Sequence, residues 1–267
     1  VIGTGGASGS VGFGPVTLNS GTPLVINRSG SLAIPGVISS AGGVTTIGSA
    51  TVTLGGVNTY TGPTTISNGA LVVTAGLIGG DLNLEGGTYI GGTTTTVMTN
   101  TIGGSININA GNIWATLNKS VVESNTVFSV AGAINCTGGT LRLLNVGPLV
   151  SVGEKYTLFS QPVTGGALLT IVSPGFTVQN DLAVDGSVTV TVAQPAPTIT
   201  ATVTGSLMNL SWPSAWIGGV HLQGQTNSLA VGLSTNWVTI PGTELSNTYS
   251  TTINPTNRAV FYRLIAP

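Results

Sequence analysis

Charged residues are the scarcest feature of this 267-residue chain, making up 5% of it, about a fifth of the usual share. Six Lys and Arg stand against seven Asp and Glu, and the cations are scattered from Arg28 to Arg263. Without a basic stripe the chain is a poor partner for nucleic acid or for anionic membrane surfaces. Because 41% of the residues are apolar, the composition is also the opposite of a disordered one.

Cysteine, histidine and long apolar runs are nearly or wholly missing. The one cysteine, Cys136, cannot form an internal disulfide, and with the one histidine, His221, it leaves too few ligands for a zinc site. Alternation puts Cys136 on the side of Ile134, which predicts a buried small hydrophobe; an intermolecular bridge or a free thiol is the alternative. No apolar stretch approaches the ~18 residues of a spanning helix. We therefore expect neither membrane insertion nor a cofactor or metal.

The residues that are abundant favour β-structure. Val, Ile and Thr prefer strands, and the 41 Gly with many Asn prefer tight turns. From Val16 to Leu143, short segments with alternating apolar residues recur every eight to twelve residues, and Gly-Gly pairs mark corners. This pattern predicts a β-solenoid with two or three strands and ~20–25 residues per turn. Strand alternation predicts one continuous core that contains Ile34, Leu54, Ile66, Leu84, Ile108 and Leu143.

A proline-containing segment, Ala193–Thr198, divides the chain into predicted domains at 1–194 and 195–267. We expect Val188–Val192 to be the last solenoid strand. Beyond the boundary, six or seven short strands in ~70 residues predict a small antiparallel β-sandwich. Trp212 and Trp237 are predicted core residues of that sandwich, with a sugar-stacking platform as the alternative.

One segment carries a specific motif, Asn58-Thr-Tyr-Thr-Gly-Pro-Thr-Thr-Ile66. It resembles the autotransporter-associated β-strand repeat, also called the passenger-associated transport repeat, as found in large exported proteins of Verrucomicrobia and Planctomycetes. The resemblance implies a right-handed parallel β-helix over roughly residues 1–194. The segments Leu210-Ser-Trp-Pro213 and Phe261-Tyr-Arg-Leu264 are similar to small fibronectin-III or immunoglobulin-like domains, which implies such a domain at 195–267.

Two carboxylate pairs are the best candidates for catalysis: Asp81 with Glu85, and Asp181 with Asp185. Each pair lies four positions apart on one strand face, so the Cα atoms are ~13 Å apart, whereas glycosidase carboxylates work at about 5–9.5 Å. We expect solvated charges rather than a catalytic pair, although a neighbouring turn could supply a partner. Calcium binding near Asp181 lacks the dense oxygen-ligand loop that such sites need.

These observations predict a non-enzymatic extracellular structural protein that self-assembles head to tail into a fibre, sheath or surface filament. The alternative is a surface adhesin or glycan-binding stalk protein, and a carbohydrate-active β-helix enzyme is less favoured. Partners are a second copy and possibly an extracellular polysaccharide or cell surface. The opening at Val1 suggests export with a signal peptide removed. The first turn carries no charge, and no capping helix is evident in the sequence, so we expect an assembly interface at Val11, Val16, Leu18, Leu24 and Ile26.

Overall fold

A computed structural model of the chain describes residues 2–4, 9–18, 21–93, 96–193, 195–216 and 220–265. The protein is all-β, with a parallel β-solenoid of about six turns followed by small antiparallel sheets. This order of architectures confirms the fold class that the sequence predicts.

The solenoid and the segment that closes it contain strands β1 (Ile2–Thr4), β2 (Gly9–Ser10), β3 (Val16–Thr17), β4 (Leu24–Asn27), β5 (Leu32–Ile34), β6 (Ile38–Ser39), β7 (Val44–Thr46), β8 (Thr51–Leu54), β9 (Thr64–Ile66), β10 (Ala70–Val73), β11 (Leu77–Ile78), β12 (Leu82–Gly91), β13 (Thr99–Ile102), β14 (Ile106–Leu117), β15 (Val127–Val130), β16 (Ile134–Cys136), β17 (Thr140–Asn145), β18 (Lys155–Thr157), β19 (Thr170–Val172), β20 (Thr177–Asp181) and β21 (Ser187–Val192). A 3-10 helix spans Gly166–Leu168, and a four-residue helix, α1, spans Leu182–Asp185. The C-terminal part contains β22 (Thr200–Thr204), β23 (Leu207–Ser211), a 3-10 helix (Ser214–Trp216), β24 (His221–Asn227), β25 (Val238–Thr239), β26 (Thr248–Thr252) and β27 (Ala259–Ile265).

Parallel ladders give the solenoid three faces. Face A stacks β1, β4, β7, β9, the first halves of β12 and β14, and β16. Face B stacks β2, β5, β8, β10, the second halves of β12 and β14, β17 and β19. Face C contains β3 with β6, and β11, β13 and β15. Three strands per turn agree with the sequence prediction.

The length of a turn varies along the chain, and it is shortest between Thr64 and Leu82, which lie 18 residues apart. Leu24, Val44 and Thr64 are register partners, so the early turns take 20 residues each. On face A, Asn83 and Asn107 lie 24 residues apart, and Asn107 and Asn135 lie 28 apart. The later turns exceed the predicted range because longer connections, such as residues 118–126, separate their strands.

The core is continuous from Leu18 to Val190, as alternation requires. All six predicted core residues are fully buried in this one cluster: Ile34, Leu54, Ile66, Leu84, Ile108 and Leu143. Cys136 is buried in the same cluster, and its thiol donates a hydrogen bond to the carbonyl oxygen of Gly138 at 3.2 Å. Its predicted inward side is therefore confirmed.

Glycines stack at the corner that leads into face A. They occupy one position in five successive turns: Gly42, Gly62, Gly80, Gly104 and Gly132. A Cβ atom on Gly62 would lie 2.6 Å from the carbonyl carbon of Gly42, closer than real Cβ contacts allow. The successive backbones therefore approach too closely for any side chain, which explains why Gly-Gly pairs mark the turns.

The C-terminal end of the solenoid is closed by a cap. Strands β18, β21 and β20 form an antiparallel sheet, so Val188–Val192 belongs to this cap and not, as the sequence indicated, to the last parallel turn. The Val163 N–H donates to the Leu182 carbonyl at 2.8 Å, which seats α1 on the last turn. Leu182 and Val188 are buried in the solenoid core, so the expectation that no helix caps the stack was wrong at this end.

The C-terminal part consists of two three-stranded antiparallel sheets, β22-β23-β26 and β25-β24-β27. Its small core contains Leu210, Trp212, Trp216, Val220 and Leu222. Trp212 is a core residue as predicted, but Trp237 is only half-buried outside this cluster. Trp216, carried inward by a 3-10 helix after β23, is the second buried indole. The domain division at 194/195 stays a prediction.

Candidate functional site

The Asn58–Ile66 motif builds one corner of the solenoid. The Ile38 N–H of the preceding turn donates to Asn58 Oδ1 at 2.9 Å, and both residues are buried. The Tyr60 hydroxyl and Thr64 Oγ1 form a buried hydrogen bond of 2.6 Å. Burial raises the pKa of Tyr60 to about 12, although the bond to Thr64 opposes the shift. The motif residues therefore turn the chain and fill its core, and none of these side chains offers a reactive group to solvent.

Polar side chains on face A form ladders that run from turn to turn. Asn135 donates through Nδ2 to Asn107 Oδ1 at 3.0 Å, and Asn107 donates in the same way to Asn83 at 2.8 Å. Beside this ladder Thr137 donates to Asn109, and Asn109 donates to Glu85 at 2.9 Å. On face A these polar side chains therefore hydrogen-bond to one another from turn to turn, as in the stacked amide ladders of other parallel sheets.

The first predicted carboxylate pair is engaged in these ladders and is not brought together. Asp81 Oδ1 accepts the Ser105 N–H at 2.7 Å, while Glu85 accepts from Asn109. Both carboxylates therefore accept hydrogen bonds from the following turn, one from a backbone N–H and one from a side-chain amide. The geometry gives each carboxylate a structural role in joining consecutive turns.

The second pair, Asp181 and Asp185, lies in the cap. Asp185 Oδ2 accepts from Lys155 Nζ at 2.6 Å, and this hydrogen bond, with another from Ser187, lowers the pKa of Asp185. Asp181 accepts from Thr189 at 2.8 Å and from Gln179 at 2.7 Å. Within the described ranges, no group of three His, Cys, Asp or Glu side chains could hold a metal ion.

A second ion pair joins the connection after β14 to the residue just before the cap strand β18. Lys119 Nζ lies 2.7 Å from Glu154 Oε1. Although partial burial raises the pKa of Glu154, the hydrogen bonds from Lys119, the Ser151 N–H and the Tyr156 hydroxyl outweigh it and leave the pKa below its usual value. Like the Lys155–Asp185 pair, it joins segments distant in sequence. The Glu154 carboxylate is engaged in this ion pair and in hydrogen bonds, and is not free for acid–base chemistry.

The N-terminal end of the solenoid is open among the described residues. Strands β1, β2 and β3 each have a partner on one side only. Of the predicted interface residues, Val11 is 41% exposed, whereas Val16 and Leu24 are half-buried against the core. Leu18 and Ile26 are buried in the core of this same chain, where adjoining turns cover their side chains. The assembly interface itself stays a prediction.

Three exposed apolar side chains lie at the two ends of the solenoid. Phe13, which follows β2, is 90% exposed at the open end. On the cap, Leu168 is 61% exposed and Val184 is 74% exposed, and the two short helices that carry them contact each other. Both ends of the solenoid therefore present apolar side chains to solvent.

The C-terminal part carries the histidine His221 on β24 and the half-buried Trp237 just before β25. His221 is half-buried between the buried Val220 and Leu222. The Arg263 guanidinium lies 4.3 Å from the centroid of the Trp237 ring and donates from Nε to Gln223 Oε1 at 2.9 Å. Because Arg263 covers the indole, Trp237 is neither a core residue nor a bare stacking platform.

One pair of residues was missed in the sequence. Trp114 on β14 faces outward on face B, and the Arg142 guanidinium of the next turn lies 5.2 Å from its ring centroid. The signal was present, because Trp114 stands between the buried Ile113 and Ala115 and alternation sends it outward. It is the one outward-facing indole of the described solenoid.

Residues 44–73 match the family model of the passenger-associated-transport-repeat, which includes the motif at the Asn58 corner. No curated protein and no solved structure matches the chain. In the part of the chain that the structure describes, no helix is long and apolar enough to cross a membrane. The repeat belongs to autotransporter passenger domains, and it implies an exported or surface location. The chain thus carries one match to the passenger-associated transport repeat within its parallel β-solenoid.

Proposed function

We propose that this protein is a non-enzymatic structural protein of the cell exterior that self-assembles end to end into a fibre, sheath or surface filament. The observation that carries the proposal is the difference between the two solenoid ends. The N-terminal strands β1 to β3 lack a partner on their outer side within the described chain, whereas β18, β20, β21 and α1 close the other end. Unpaired strand edges recruit another chain unless charge, proline or a cap blunts them.

The open end has the chemistry of a contact surface. No charged residue precedes Arg28, so little electrostatic repulsion opposes close approach. Val11 and Phe13 expose apolar side chains there, and exposed apolar clusters mark interaction sites. Pairing with this edge would satisfy free backbone N–H and C=O groups as well as cover these side chains.

The cap supplies the complementary surface. Leu168 and Val184 present apolar side chains at the opposite end, beside the Lys155–Asp185 ion pair of the cap. A contact between the open end of one copy and the cap of the next joins two different surfaces. Such a heterologous contact grows into a filament unless the rotation closes a ring.

The carboxylates support the non-enzymatic part of the proposal. Asp81 and Glu85 accept hydrogen bonds from the following turn, and Asp185 is paired with Lys155. A catalytic acid needs a raised pKa and a nucleophile needs an open approach, but the pKa of Asp185 is lowered. These carboxylates therefore join consecutive turns and hold the cap together.

The test replaces Val11 and Phe13 together by Lys. Both side chains are exposed, so the fold should be retained while the open end gains two positive charges. We expect the native protein to form concentration-dependent polymers in sedimentation velocity and filaments in electron microscopy, and the double variant to remain monomeric. The matched control replaces Val57, which is exposed on an inner turn of the solenoid, and Val231, which is exposed in the C-terminal part, by Lys.

A second variant, Val184→Lys with Leu168→Lys, separates head-to-tail from head-to-head assembly. Head-to-tail growth requires both ends, so either double variant should abolish filaments. A cap variant that still dimerises would indicate that two open ends pair with each other. A native protein that sediments as a monomer at high concentration would overturn the proposal.

A surface adhesin or glycan-binding stalk is the second candidate function. The observation that favours it is the outward Trp114 with its stacked Arg142 on face B. A purely structural solenoid has no evident need for an outward, only half-buried indole on its flat face, since aromatic side chains contribute most when they are buried.

A further inference from the structure

Faces A and B of the solenoid present opposite chemistry at matching positions. The central outward row of face A carries the asparagine ladder of Asn83, Asn107 and Asn135. The central outward row of face B, which we call the Trp114 row, consists of register partners on five consecutive strands: Val72, Ile90, Trp114, Arg142 and Val172. Four strand spacings of ~4.8 Å make this row about 19 Å long.

Hydrogen-bonding side chains flank the Trp114 row two positions earlier on the same strands. These are Thr88, Asn112, Thr140 and Thr170, again in direct register. Asn112 donates to Thr88 at 3.3 Å, and no other hydrogen bond engages these side chains within the described part of the chain. Face B therefore places a flat apolar strip beside a row of hydroxyl and amide groups.

Arg142 gives this strip an uncompensated positive charge. The two ion pairs among the described residues are Lys119–Glu154 and Lys155–Asp185, so no carboxylate there pairs with Arg142. Its Nε atom is buried and has no hydrogen-bond acceptor, and its guanidinium lies over the Trp114 ring. The chain has six cationic side chains, and Arg142 holds its charge on the apolar row without an anion. A ligand with an anionic group would supply the missing partner.

We propose that the Trp114 row binds an anionic polysaccharide laid along the solenoid axis. The apolar face of a sugar ring would pack on Trp114 and Ile90, as sugar C–H groups do on indoles. A carboxylate or sulfate on the same chain would accept hydrogen bonds from Arg142, which matches planar oxyanions well. Thr140 and Asn112 would bond the sugar hydroxyls. The proposal is independent of end-to-end assembly, because face B lies along the side of the stack.

The experiment measures binding of three soluble polymers by isothermal titration calorimetry: polygalacturonate, dextran sulfate and neutral dextran. The protein is the native chain, at a concentration at which sedimentation velocity shows a single species, so that a failure of binding is not confused with a change in polymer length. We expect one or both anionic polymers to bind, neutral dextran to bind far more weakly, and the affinity to fall as salt is raised. Preference between the two anionic polymers identifies carboxylate or sulfate as the group recognised.

Two substitutions locate the site. Arg142→Gln should weaken anionic binding about tenfold to a hundredfold, because it removes charge-assisted hydrogen bonds. Trp114→Leu should weaken it about threefold to tenfold through loss of the stacking surface. The matched controls are Arg258→Gln and Trp237→Leu, which remove the same groups from the C-terminal part and should leave the affinity unchanged.

Folding of each variant is checked by circular dichroism. Where Arg142→Gln proves unstable, Arg142→Lys keeps the charge but loses the planar fork, and we expect it to bind with intermediate affinity. Equal binding of neutral dextran, or anionic binding that survives both Arg142→Gln and Trp114→Leu, would overturn the proposal. So would an equal loss of affinity in the two control variants.

Discussion

The solenoid and the C-terminal sheets bury their apolar residues in different ways. In the solenoid each turn covers the one before it, and core residues such as Leu54, Leu84 and Ile108 are fully buried. In the C-terminal part five buried residues make up the core, and β22 is exposed along its whole length. Repetition therefore yields a core that extends with every turn, whereas a lone pair of three-stranded sheets depends on a few large side chains.

This difference predicts where each region is vulnerable. A solenoid turn is supported by its two neighbours, so damage at its middle breaks a continuous stack. The C-terminal part concentrates its burial in Trp212 and Trp216, so one truncation removes a large share of its core. In the cap the ion pair is exposed, so we expect it to add little to the free energy of unfolding.

The largest effect is expected from Leu84→Asp in the middle of the solenoid. Leu84 is fully buried on β12, so the change loses apolar burial, about 2–5 kcal/mol, and adds an unpaired buried carboxylate. We expect the solenoid to unfold or its thermal transition to fall by more than ~10 °C, measured by circular dichroism. Glu85→Gln, one residue along and exposed, is the control and should melt with the native chain; an unchanged melt for Leu84→Asp would show that the core register is wrong.

The next effect separates Trp212 from Trp237, two of the three tryptophans of the C-terminal part. Trp212→Ala should destabilise that part by about 3–5 kcal/mol, because a buried indole leaves a large cavity. Trp237→Ala should cost about 1 kcal/mol, since the half-buried ring mainly supports Arg263. Hydrogen exchange with mass spectrometry reads the two regions separately, and the solenoid should keep its protection in both variants. Equal losses would mean that Trp237 belongs to the core after all.

The smallest effect concerns pH and the exposed Lys155–Asp185 pair of the cap. The pKa of Asp185 is lowered from 3.8 in the folded chain, so its stabilisation is present above about pH 4 and is lost as the pH falls through the folded value. The pKa of Lys155 is raised from 10.5, so its share is present below that pH and is lost as the pH rises through the folded value.

The corresponding variant is Lys155→Met, compared with the native chain in thermal melts. Its melting temperature should lie slightly below the native one at pH 7 and converge with it as the pH falls through the lowered pKa of Asp185. In about 1 M salt, where the screening length is ~3 Å, the difference at pH 7 should shrink. A gap that persists at low pH would mean that the Lys155 side chain acts through packing and not through charge.

Much of the solenoid could be predicted from local patterns. Alternation placed Ile34 and Leu143 on the inner side, because successive strand residues point to opposite faces whatever the fold around them. The Gly-Gly pairs predicted corners, since close backbone approach excludes a Cβ atom. The same alternation also placed Cys136 correctly.

The errors share a physical cause, which is that pairing partners distant in sequence decide them. Val188–Val192 has the alternation of any strand, and only its antiparallel partners β18 and β20 make it part of a cap. Leu18 and Ile26 lie in the uncharged first turn, and neighbouring turns bury their side chains; the interface to which the sequence assigns them stays a prediction. Trp237 was predicted as a core residue by its size, yet Trp216 takes the second indole position.

The sequence by itself determined an all-β chain, a stacked repeat with its corners and the inner face of each strand, because these follow from two-residue periodicity and backbone sterics. Only the tertiary structure decided which outward rows exist, since a row such as Val72, Ile90, Trp114 and Arg142 is assembled from residues 18 to 28 positions apart. Turn length sets that register, and turn length varies along this chain. The capped and open ends, and the contrast between faces A and B, are therefore properties of the stack and not of any single strand.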